Sequence, residues 1–456
     1  MDFFIEFLPL TMFLVLAVLL FSGYPVAFVL GGVGFAFWLL AVSMGVVNDK
    51  SFLLVISRIY GGVVENLILL AIPMFIFMGT MMEKSGIARD LLNALQILLR
   101  RVPGGLALAV VVLGIIMAAT TGIIGASVVM MTLLALPVMR ERGYDMPLAT
   151  GTIASSGTLG ILIPPSIMLV VMGNLLSVPI GTLFFAALMP GLMLAVFYFL
   201  YIIIRTAKNP SLAPAIADDD EAVTGQSTFL LVVRSLLPPL ILISIVLGSI
   251  FAGVATPTEA SGIGAAGATL LALARRRLDF ATLRDVTERS ALIGAMLFGI
   301  FVGATAFSYV FALLGGHDLI IQGIEAVSFG PWSVLFAVML VVFILGFFFD
   351  WIQISLIVLP VFAPVIAALD FGTHMPYPEM TIIWFAILVA VNLQTSFLTP
   401  PFGFALFYMK GAAPGGVTLS HIYRGIVPFV ILQLIGLAAI IIWPEIALWL
   451  PAKFGL

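Results

Sequence analysis

Long apolar segments recur along the whole chain, and each is close to the length that crosses a lipid bilayer. A helix that spans the hydrocarbon core needs about 20 mostly apolar residues. Only 9% of the residues are charged, whereas soluble domains carry about 25%, so there is too little charge to cover a water-soluble surface. The sequence therefore predicts an all-α polytopic membrane protein. The predicted spans lie near residues 8–22, 25–46, 60–82, 182–204, 229–251, 256–274, 290–314 and 425–449.

Several classes of function are excluded by residues that the sequence lacks. There is no cysteine, which excludes disulfides and thiolate metal sites. No lysine follows a glycine, so a phosphate-binding P-loop is absent, and no His-Glu-x-x-His motif is present. The net charge of −3 without a basic face argues against nucleic acid as a partner. We therefore expect neither an ATPase nor another enzyme.

The basic residues predict how the chain threads the bilayer, because cytoplasmic loops hold an excess of Lys and Arg. The clusters are Arg100–Arg101, Arg140 with Arg142, Arg205 with Lys208, and Arg275–Arg277. One threading puts all of them inside and leaves both termini outside. The N-terminus MDFFIEFLPL lacks the positive charge of a signal peptide, so we expect its helix to be retained.

Two further segments each begin and end on one side in this threading. Residues 104–139 predict a hairpin rooted inside, with its tip near TTGIIGAS (120–127). Residues 331–369 predict a hairpin rooted outside, with its tip near GFFFDWIQIS (346–355). Irregular backbone at membrane depth is tolerated only where it is buried in protein or lines a wet cavity. Both tips are therefore candidate functional segments.

An internal repeat connects the two hairpins. Each is followed by a span that a double proline interrupts, and placing Pro164–Pro165 on Pro400–Pro401 gives an offset of 236 residues. Because the hairpins enter from opposite sides, the two copies are inverted, which is the architecture of secondary transporters. The predicted plan is N-terminal scaffold helices (1–58), repeat 1 (59–206, with hairpin 104–139 and broken helix 146–178), a cytoplasmic linker (207–228), a scaffold helix pair (229–280), repeat 2 (281–449, with hairpin 331–369 and broken helix 380–411) and a tail (450–456).

The two broken helices carry the candidate ligands. Proline has no amide hydrogen, so carbonyls upstream of each pair lose their helical donors and become ligands for a hard cation. Nearby hydroxyls add neutral oxygens, whereas Asp350 is the clear carboxylate at depth. A proton relay needs several acids or histidines, so the sequence favours Na⁺ over H⁺. The hydroxyls are Thr121, Ser127 and Thr158 in one copy and Ser355, Thr395, Ser396 and Thr399 in the other.

Each of these assignments has a structural alternative. Asp350 could hydrogen-bond the opposing loop without contacting cargo. Thr121, Ser127 and Thr158 could cap half-helices. Asn392 and Gln394 could join helices rather than face a substrate. Glu259 in TPTEA could cap its helix or dock another subunit.

Six motifs in this order resemble the large membrane subunit of tripartite ATP-independent periplasmic (TRAP) transporters, within the ion transporter superfamily. The resemblance covers nearly the whole chain. The TPTEA segment and the paired double-proline loops are its most specific parts. The motifs are GYPVAFVLGGVGF (23–35), IPMFIFMG (72–79), GYDMPLATG (143–151), LGILIPPS (159–166), ATPTEAS (255–261) and LTPPFG (398–403).

The resemblance implies import of organic acids across the bacterial inner membrane, driven by a Na⁺ gradient. It implies two partners, a small four-helix membrane subunit on a separate chain and a periplasmic substrate-binding protein. It also implies an elevator-type transport domain that moves against a scaffold. The second tip is similar to the branch associated with keto- or hydroxy-monocarboxylates. Both termini would then be periplasmic.

The resemblance also implies two sodium sites, and we predict a substrate site from the polar residues beside them. Two departures from the family pattern matter: many members have a Ser-Gly-Ser tip where this chain has TTGIIGAS, and a glycine where it has Ser396. The predicted residues are Thr121, Gly122, Ser127, Gly157, Gly160, Ile163 and Pro164 for the first sodium site, Gly346, Asp350, Ser396 and Thr399 for the second, and Thr158, Ser355, Asn392, Gln394 and Thr395 for the substrate.

Other functions remain open from the sequence. A stand-alone Na⁺/dicarboxylate symporter or exchanger of similar topology is the nearest alternative. A passive ion channel is another, since re-entrant hairpins also build selectivity filters. An intramembrane hydrolase would need a Ser–His, Asp–Asp or His–metal set at depth, and no histidine lies in mid-span.

Overall fold

The computed structural model describes residues 7–121, 124–214, 228–316, 318–319, 322, 330–400 and 403–455, with backbone alone for 118–121 and 228–231. These residues form helices joined by turns, without a strand. Among them, eight helices are long and apolar enough to cross a membrane, which confirms the predicted fold class. These candidate spans are Val26–Ser43, Leu67–Lys84, Ile124–Glu141, Ile180–Lys208, Val232–Phe251, Phe280–Leu313, Pro378–Ser396 and Leu419–Ile442.

The described residues form α-helices that differ widely in length. Those in the first half of the chain are α1 (Leu8–Leu20), α2 (Val26–Ser43), α3 (Leu53–Ile59), α4 (Ala71–Lys84), α5 (Ile87–Leu98), α6 (Gly105–Thr121), α7 (Ile124–Glu141), α8 (Met146–Thr158), α9 (Ile167–Leu176) and α10 (Ile180–Lys208). Those in the second half are α11 (Thr228–Phe251), α12 (Pro257–Ala274), α13 (Phe280–Leu313), α14 (Pro331–Leu345), α15 (Trp351–Ala367), α16 (Thr381–Ser396), α17 (Phe404–Ala412), α18 (Leu419–Ile442) and α19 (Glu445–Lys453).

The first helix group comprises α1–α5 and α11–α13. In it α13 packs along α2 and α4, α4 packs against α12, and α11 packs against α5 and α12. The TPTEA segment begins α12, where the Thr256 hydroxyl accepts from the Glu259 amide at 3.3 Å and the Glu259 carboxylate accepts from the Thr256 amide at 2.8 Å. This reciprocal cap satisfies two amides that a helix start leaves free, so the capping alternative for Glu259 describes its contacts.

Ion pairs hold together the end of the first helix group that carries the basic turn between α12 and α13. Asp90 on α5 pairs with Arg275 at 2.7 Å and with Arg277 at 3.2 Å. Lys84 at the end of α4 pairs with Asp285 on α13 at 2.6 Å. The short helix α5 is thereby tied to the basic turn between α12 and α13.

The second helix group comprises α6–α10 and α14–α19. It contains two hairpins, α6–α7 and α14–α15, and two interrupted helices, α8–α9 and α16–α17. The two halves of the chain interlock: α18 packs on α8 and α10 on α16, while α7 packs on α17 and α15 on α9. The α8–α18 crossing is a backbone contact, because a methyl group on either Gly151 or Gly425 would overlap a carbonyl oxygen of the facing helix. The two groups meet where α6 contacts α4 and α15 contacts α13.

Two predicted spans were wrong in their bounds. The span expected at 60–82 is interrupted, because a π-helical turn at Tyr60–Val64 ends before Asn66, whose side chain accepts from the Ile68 amide and starts a new helix. The span expected at 425–449 ends at Ile442, and α19 begins beyond Pro444. Proline disfavours helical geometry in the residue that precedes it. Residues 215–227 of the expected linker lie outside the described residues.

Candidate transport site

The first helix interruption leaves carbonyls without their helical donors. Helix α8 continues as a short 3₁₀ turn, Leu159–Ile161, and α9 starts after Ser166. Pro164 and Pro165 have no amide hydrogen, so the carbonyls of Gly160 and Ile161 lose their i+4 donors. The Ser166 hydroxyl donates to the Ile161 oxygen at 2.5 Å, whereas the Gly160 oxygen has no partner among the described residues. Gly160 therefore presents a buried acceptor.

The second interruption differs at the equivalent position, because the Ser396 carbonyl accepts from the Thr399 amide at 3.1 Å. Helix α16 ends at Ser396, and the Phe397 carbonyl accepts from the Ala405 amide across the break at 3.3 Å. The Thr399 hydroxyl donates to the Thr395 carbonyl at 2.8 Å. Pro401 lies outside the described residues. The lone pairs of the Thr399 hydroxyl stay available to a cation, since donation uses only its hydrogen.

The second hairpin tip touches the second interruption. A methyl group on Gly346 would overlap the Ser396 hydroxyl oxygen and would lie 2.6 Å from its Cβ. Two residues predicted for the second sodium site, 50 positions apart, are thus in direct contact. Only a residue without a side chain allows this approach.

Asp350 caps the second helix of this hairpin. Its Oδ1 accepts from the Trp351 amide at 2.9 Å, and its own amide donates to Gln353 Oε1 at 3.4 Å. No Lys or Arg among the described residues pairs with it. Both contacts lie within its own hairpin, so the hydrogen bond to the opposing loop that the structural alternative predicted is not found among the described residues. A role toward a cation remains a prediction.

The first hairpin meets the end of α8 in an equivalent way. A methyl group on Gly157 would lie 2.5 Å from Val128 Cγ2, next to the buried Ser127. Ile163 packs beneath Gly191 of α10, where a methyl group would lie 2.8 Å from Ile163 Cγ1. Gly122 and the side chain of Thr121 lie outside the described residues.

Residues predicted to contact substrate divide into two sets. Asn392 Nδ2 donates to the Met339 carbonyl of α14 at 2.7 Å, and the Thr395 hydroxyl donates to Val391 in its own helix at 2.8 Å. These contacts match the helix-joining alternative for Asn392. Ser355 Oγ on α15 is buried without a partner among the described residues. A buried unpaired hydroxyl costs free energy and therefore invites a ligand.

Thr158 and Gln394 meet at the centre of the second helix group. Gln394 Nε2 lies 3.4 Å from Thr158 Oγ1, and the two residues are separated by 236 positions, which equals the offset between the double prolines. Equivalent positions in two copies come together only close to the axis that relates the copies. Gln394 Nε2 also donates to the Tyr198 hydroxyl at 3.4 Å.

Sequence reasoning missed four polar residues of this centre. Tyr198 on α10 accepts from Gln433 Nε2 of α18 at 2.7 Å, and both residues are fully buried. Thr152 Oγ1 and Ser156 Oγ on α8, one turn apart, are buried without partners among the described residues. Gln433 stands alone in the apolar stretch ILQLIG, and a lone amide in a span is the signal that could have found it.

This arrangement offers neutral oxygens rather than a relay of acids. Carbonyl and hydroxyl groups surround both interruptions, and no group of three or more His, Asp or Glu side chains occurs in the described part of the chain. Half-helices α9 and α17 direct their N-termini toward the interruptions, where their dipoles favour negative charge. The site can thus accommodate both a hard cation and an anion, as discontinuous transporter helices do.

Comparison with solved structures defines the class. The chain has the fold of the YdaH transporter of Alcanivorax borkumensis, with a TM-score of 0.60 over 90% of each chain and 12% sequence identity. It is thus a polytopic protein with a transporter fold. Residues 13–446 match the family model of the tripartite ATP-independent periplasmic transporter, DctM component. The chain belongs to this family of transporter membrane subunits, which confirms the resemblance and the prediction that it is not an enzyme.

Several curated relatives align over most of their length. The chain is 31% identical over 395 residues to the C4-dicarboxylate TRAP transporter large permease protein DctM of Pseudomonas aeruginosa. This alignment covers 86% of this chain and 88% of the relative. It is 28% identical over 439 residues to the sialic acid large permease SiaM of Vibrio cholerae, covering 96% of each. It is 29% identical over 444 residues to the ectoine/5-hydroxyectoine large permease UehC of Ruegeria pomeroyi, covering 96% and 98%.

Proposed function

We propose that this chain is the large membrane subunit of a Na⁺-coupled importer for a small organic acid. It works in the bacterial inner membrane with both termini periplasmic. A periplasmic binding protein delivers the substrate, and a small four-helix subunit completes the membrane complex. Family membership supports this proposal, as do relatives named for C4-dicarboxylates, sialic acid and ectoine.

The observation that carries the sodium proposal is the contact between the second tip and the second interruption. Gly346 of the tip lies directly against the Ser396 side chain, so the tip and the end of α16 are in contact. Asp350 lies four residues after Gly346, and Thr399 lies three residues after Ser396, so both are close in sequence to this contact. The free Gly160 carbonyl provides an acceptor in the other copy. Na⁺ bound between such loops joins two elements that are far apart along the chain.

The substrate would lie between the interruptions, close to Ser355, Thr158 and Gln394. Its carboxylate would accept from hydroxyls and from amides at the half-helix N-termini. The two helix groups support an elevator motion, because the residues of the proposed sites belong to the second group and the ion-paired turn belongs to the first. Na⁺ binding would close both interruptions around the substrate before the second group crosses the membrane.

The test uses the full complex in proteoliposomes, with an acid identified by a thermal-shift screen of mono- and dicarboxylates on the cognate binding protein. An inward Na⁺ gradient should drive saturable uptake, and K⁺ or choline chloride should not. Asp350→Ala and Thr399→Val should each raise the Na⁺ concentration for half-maximal uptake by roughly tenfold, since losing a contact to a charge costs about 1.5–3 kcal/mol.

Thr269→Val is the matched control, because Thr269 on α12 makes the same 2.8 Å bond to the carbonyl four residues earlier. It should leave the sodium dependence unchanged. Unaltered sodium dependence in both site variants would refute the site assignment. Uptake without Na⁺, or unitary conductance in a planar bilayer, would refute the coupled carrier itself.

A further inference from the structure

A cavity of about 330 Å³ lies between the two helix groups, and none of its lining residues is predicted for cargo. Arg58 on α3 and Ser308 on α13 line it from the first group. Asn174, near the end of α9, and Pro360 of α15 line it from the second group. No Asp or Glu is among its lining residues. The lining is mostly apolar and carries one positive side chain, Arg58, and no negative one.

Arg58 has no ion-pair partner among the described residues. Its guanidinium lies 4.9 Å from the centre of the Tyr309 ring, and the Tyr309 hydroxyl donates to the Ser51 carbonyl at 3.1 Å. The ring therefore holds the cation in place without neutralising it. A second cavity, of about 530 Å³, is lined by four basic residues. Three of them have ion-pair partners: Lys84 with Asp285, Arg277 with Asp90, and Arg289 with Glu83.

The orientation of the Asn174 amide follows from its neighbour. Asn66 Oδ1 accepts from the Ile68 amide at 3.1 Å, so Asn66 Nδ2 is the atom that faces Asn174. That nitrogen donates to Asn174 Oδ1 at 2.5 Å and to the Gly62 carbonyl at 3.2 Å. An amide has one oxygen and one NH₂ group, so Asn174 Nδ2 keeps two hydrogens to donate. Asn174 thus contributes a donor to the cavity.

We propose that Arg58, Asn174 Nδ2 and the Ser308 hydroxyl form a separate anion site that binds a carboxylate before it reaches the hairpin tips. The identity of the anion as cargo rests on the proposed function. Leu356, which also lines the cavity, follows Ser355 directly in α15. The inner wall of the cavity is therefore the helix that carries the unpaired Ser355 hydroxyl. Arg58 selects for anions at entry, whereas the interruptions hold the cargo during crossing.

The absence of cysteine in the chain allows a test that needs no transport. Ala312 lines the cavity without belonging to the donor set, so Ala312→Cys is the reporter in the purified full chain. Its rates of modification by a sulfonate-bearing methanethiosulfonate and by the trimethylammonium analogue are compared. Arg58→Gln should lower the anion-to-cation rate ratio by roughly tenfold, and Arg58→Lys should preserve it, because the local potential sets the concentration of each reagent.

Asn174→Asp is the second variant, since it adds a negative charge without altering Arg58, and it should also lower the ratio. Val254→Cys is the control reporter, because Val254 is 81% exposed and does not line the cavity. Arg58→Gln should leave its ratio unchanged. Succinate, used as the probe carboxylate, should slow sulfonate labelling of Ala312→Cys and should have no effect when Arg58 is also Gln.

Lipid phosphate shares the chemistry of a carboxylate, and the labelling is therefore repeated in phosphatidylglycerol vesicles. Persistence of the high ratio and of succinate protection there supports a site for soluble anions. Loss of both in vesicles, or a ratio indifferent to Arg58 in detergent, overturns the proposal. Sodium-driven uptake is measured in a separate experiment. A negative labelling result therefore refutes only the anion site, and a negative uptake result refutes only the proposed importer function.

Discussion

At the residue scale, glycines determine where the hairpins can approach the broken helices. Gly346 and Gly157 let hairpin backbones approach the ends of α16 and α8, and proline frees the Gly160 carbonyl. The presence of a polar side chain is a weaker predictor of a contact with cargo. Thr395 bonds a carbonyl of its own helix, and Asn392 joins α16 to α14. A hydroxyl or amide in a helix can always find such backbone partners, so its presence alone does not specify contact with cargo.

The contact between Gly346 and Ser396 leads to a prediction with a built-in rescue. Gly346→Ala should destabilise the tip by about 1–3 kcal/mol, because its methyl group would overlap the Ser396 hydroxyl oxygen. Ser396→Gly removes both the oxygen and the Cβ, so the double variant Gly346→Ala/Ser396→Gly should recover the stability that Gly346→Ala loses. The thermal unfolding midpoint, measured with and without Na⁺, reports both the stability and the Na⁺ response of each variant.

Gly248→Ala is the control for this series, since nothing lies within 4 Å of the added methyl group. It should match or slightly exceed the stability of the unmodified protein and keep its Na⁺ response. A double variant that is as impaired as Gly346→Ala alone would show that the tip does not rest on Ser396. Ser396→Gly alone should keep its Na⁺ response if the backbone carbonyl is the ligand.

At the scale of elements, hydropathy located the membrane helices but not all their ends. The span expected at 60–82 contains Gly61 and Gly62, which favour helix weakly, and the side chain of Asn66 then starts a new helix. Pro444 separates α18 from α19. The breaks at Asn66 and at Pro444 thus each have a local cause in the sequence. An apolar window averages over such residues, so hydropathy alone did not reveal them.

The crossing of α8 and α18 gives a prediction at this scale. Gly425→Ala places a methyl group against the Pro147 carbonyl oxygen and 2.9 Å from the Gly151 amide nitrogen. Backbone cannot move aside as a flexible side chain can, so the helices must separate, at a cost of about 3 kcal/mol. The thermal unfolding midpoint in detergent should fall clearly.

Gly411→Ala in α17 is the matched substitution, because its methyl group meets nothing within 4 Å. Alanine favours helix over glycine by about 1 kcal/mol, so this variant should match or exceed the original stability. Equal midpoints for Gly425→Ala and Gly411→Ala would contradict the close crossing.

At the scale of the whole molecule, the chain forms two helix groups that pack against one another where α6 contacts α4 and α5, α9 contacts α4, and α15 contacts α13. The first group is held by ion pairs among α4, α5, α12 and α13, and the second by interlocked helices from both halves of the chain. The proposed elevator motion requires that the second group slide along the first. Contacts that bridge the groups must then break during each cycle.

A reversible cross-link tests this motion. Phe21 follows α1, Phe348 lies in the second hairpin tip, and their ring centres are 5.1 Å apart. Joining Phe21→Cys to Phe348→Cys with a short bifunctional methanethiosulfonate should abolish uptake by the full complex, and a reductant should restore it.

The control pair lies within the first helix group. Phe13 and Phe311 have ring centres 4.9 Å apart, so the same reagent should join Phe13→Cys to Phe311→Cys. Uptake should then continue, because these positions move together. Full uptake by protein quantitatively linked between Phe21 and Phe348 would exclude relative motion of the two groups.

The sequence by itself determined the membrane class, most helices, both proline interruptions and the family. These depend on hydropathy, on backbone chemistry and on motifs, which are properties of neighbouring residues. Tertiary structure alone decided that Gly346 meets Ser396, that Tyr198 joins Gln394 to Gln433, and that Arg58 shares a cavity with Asn174. Such pairs are far apart along the chain, and only the way the helices pack determines which of them come within bonding distance.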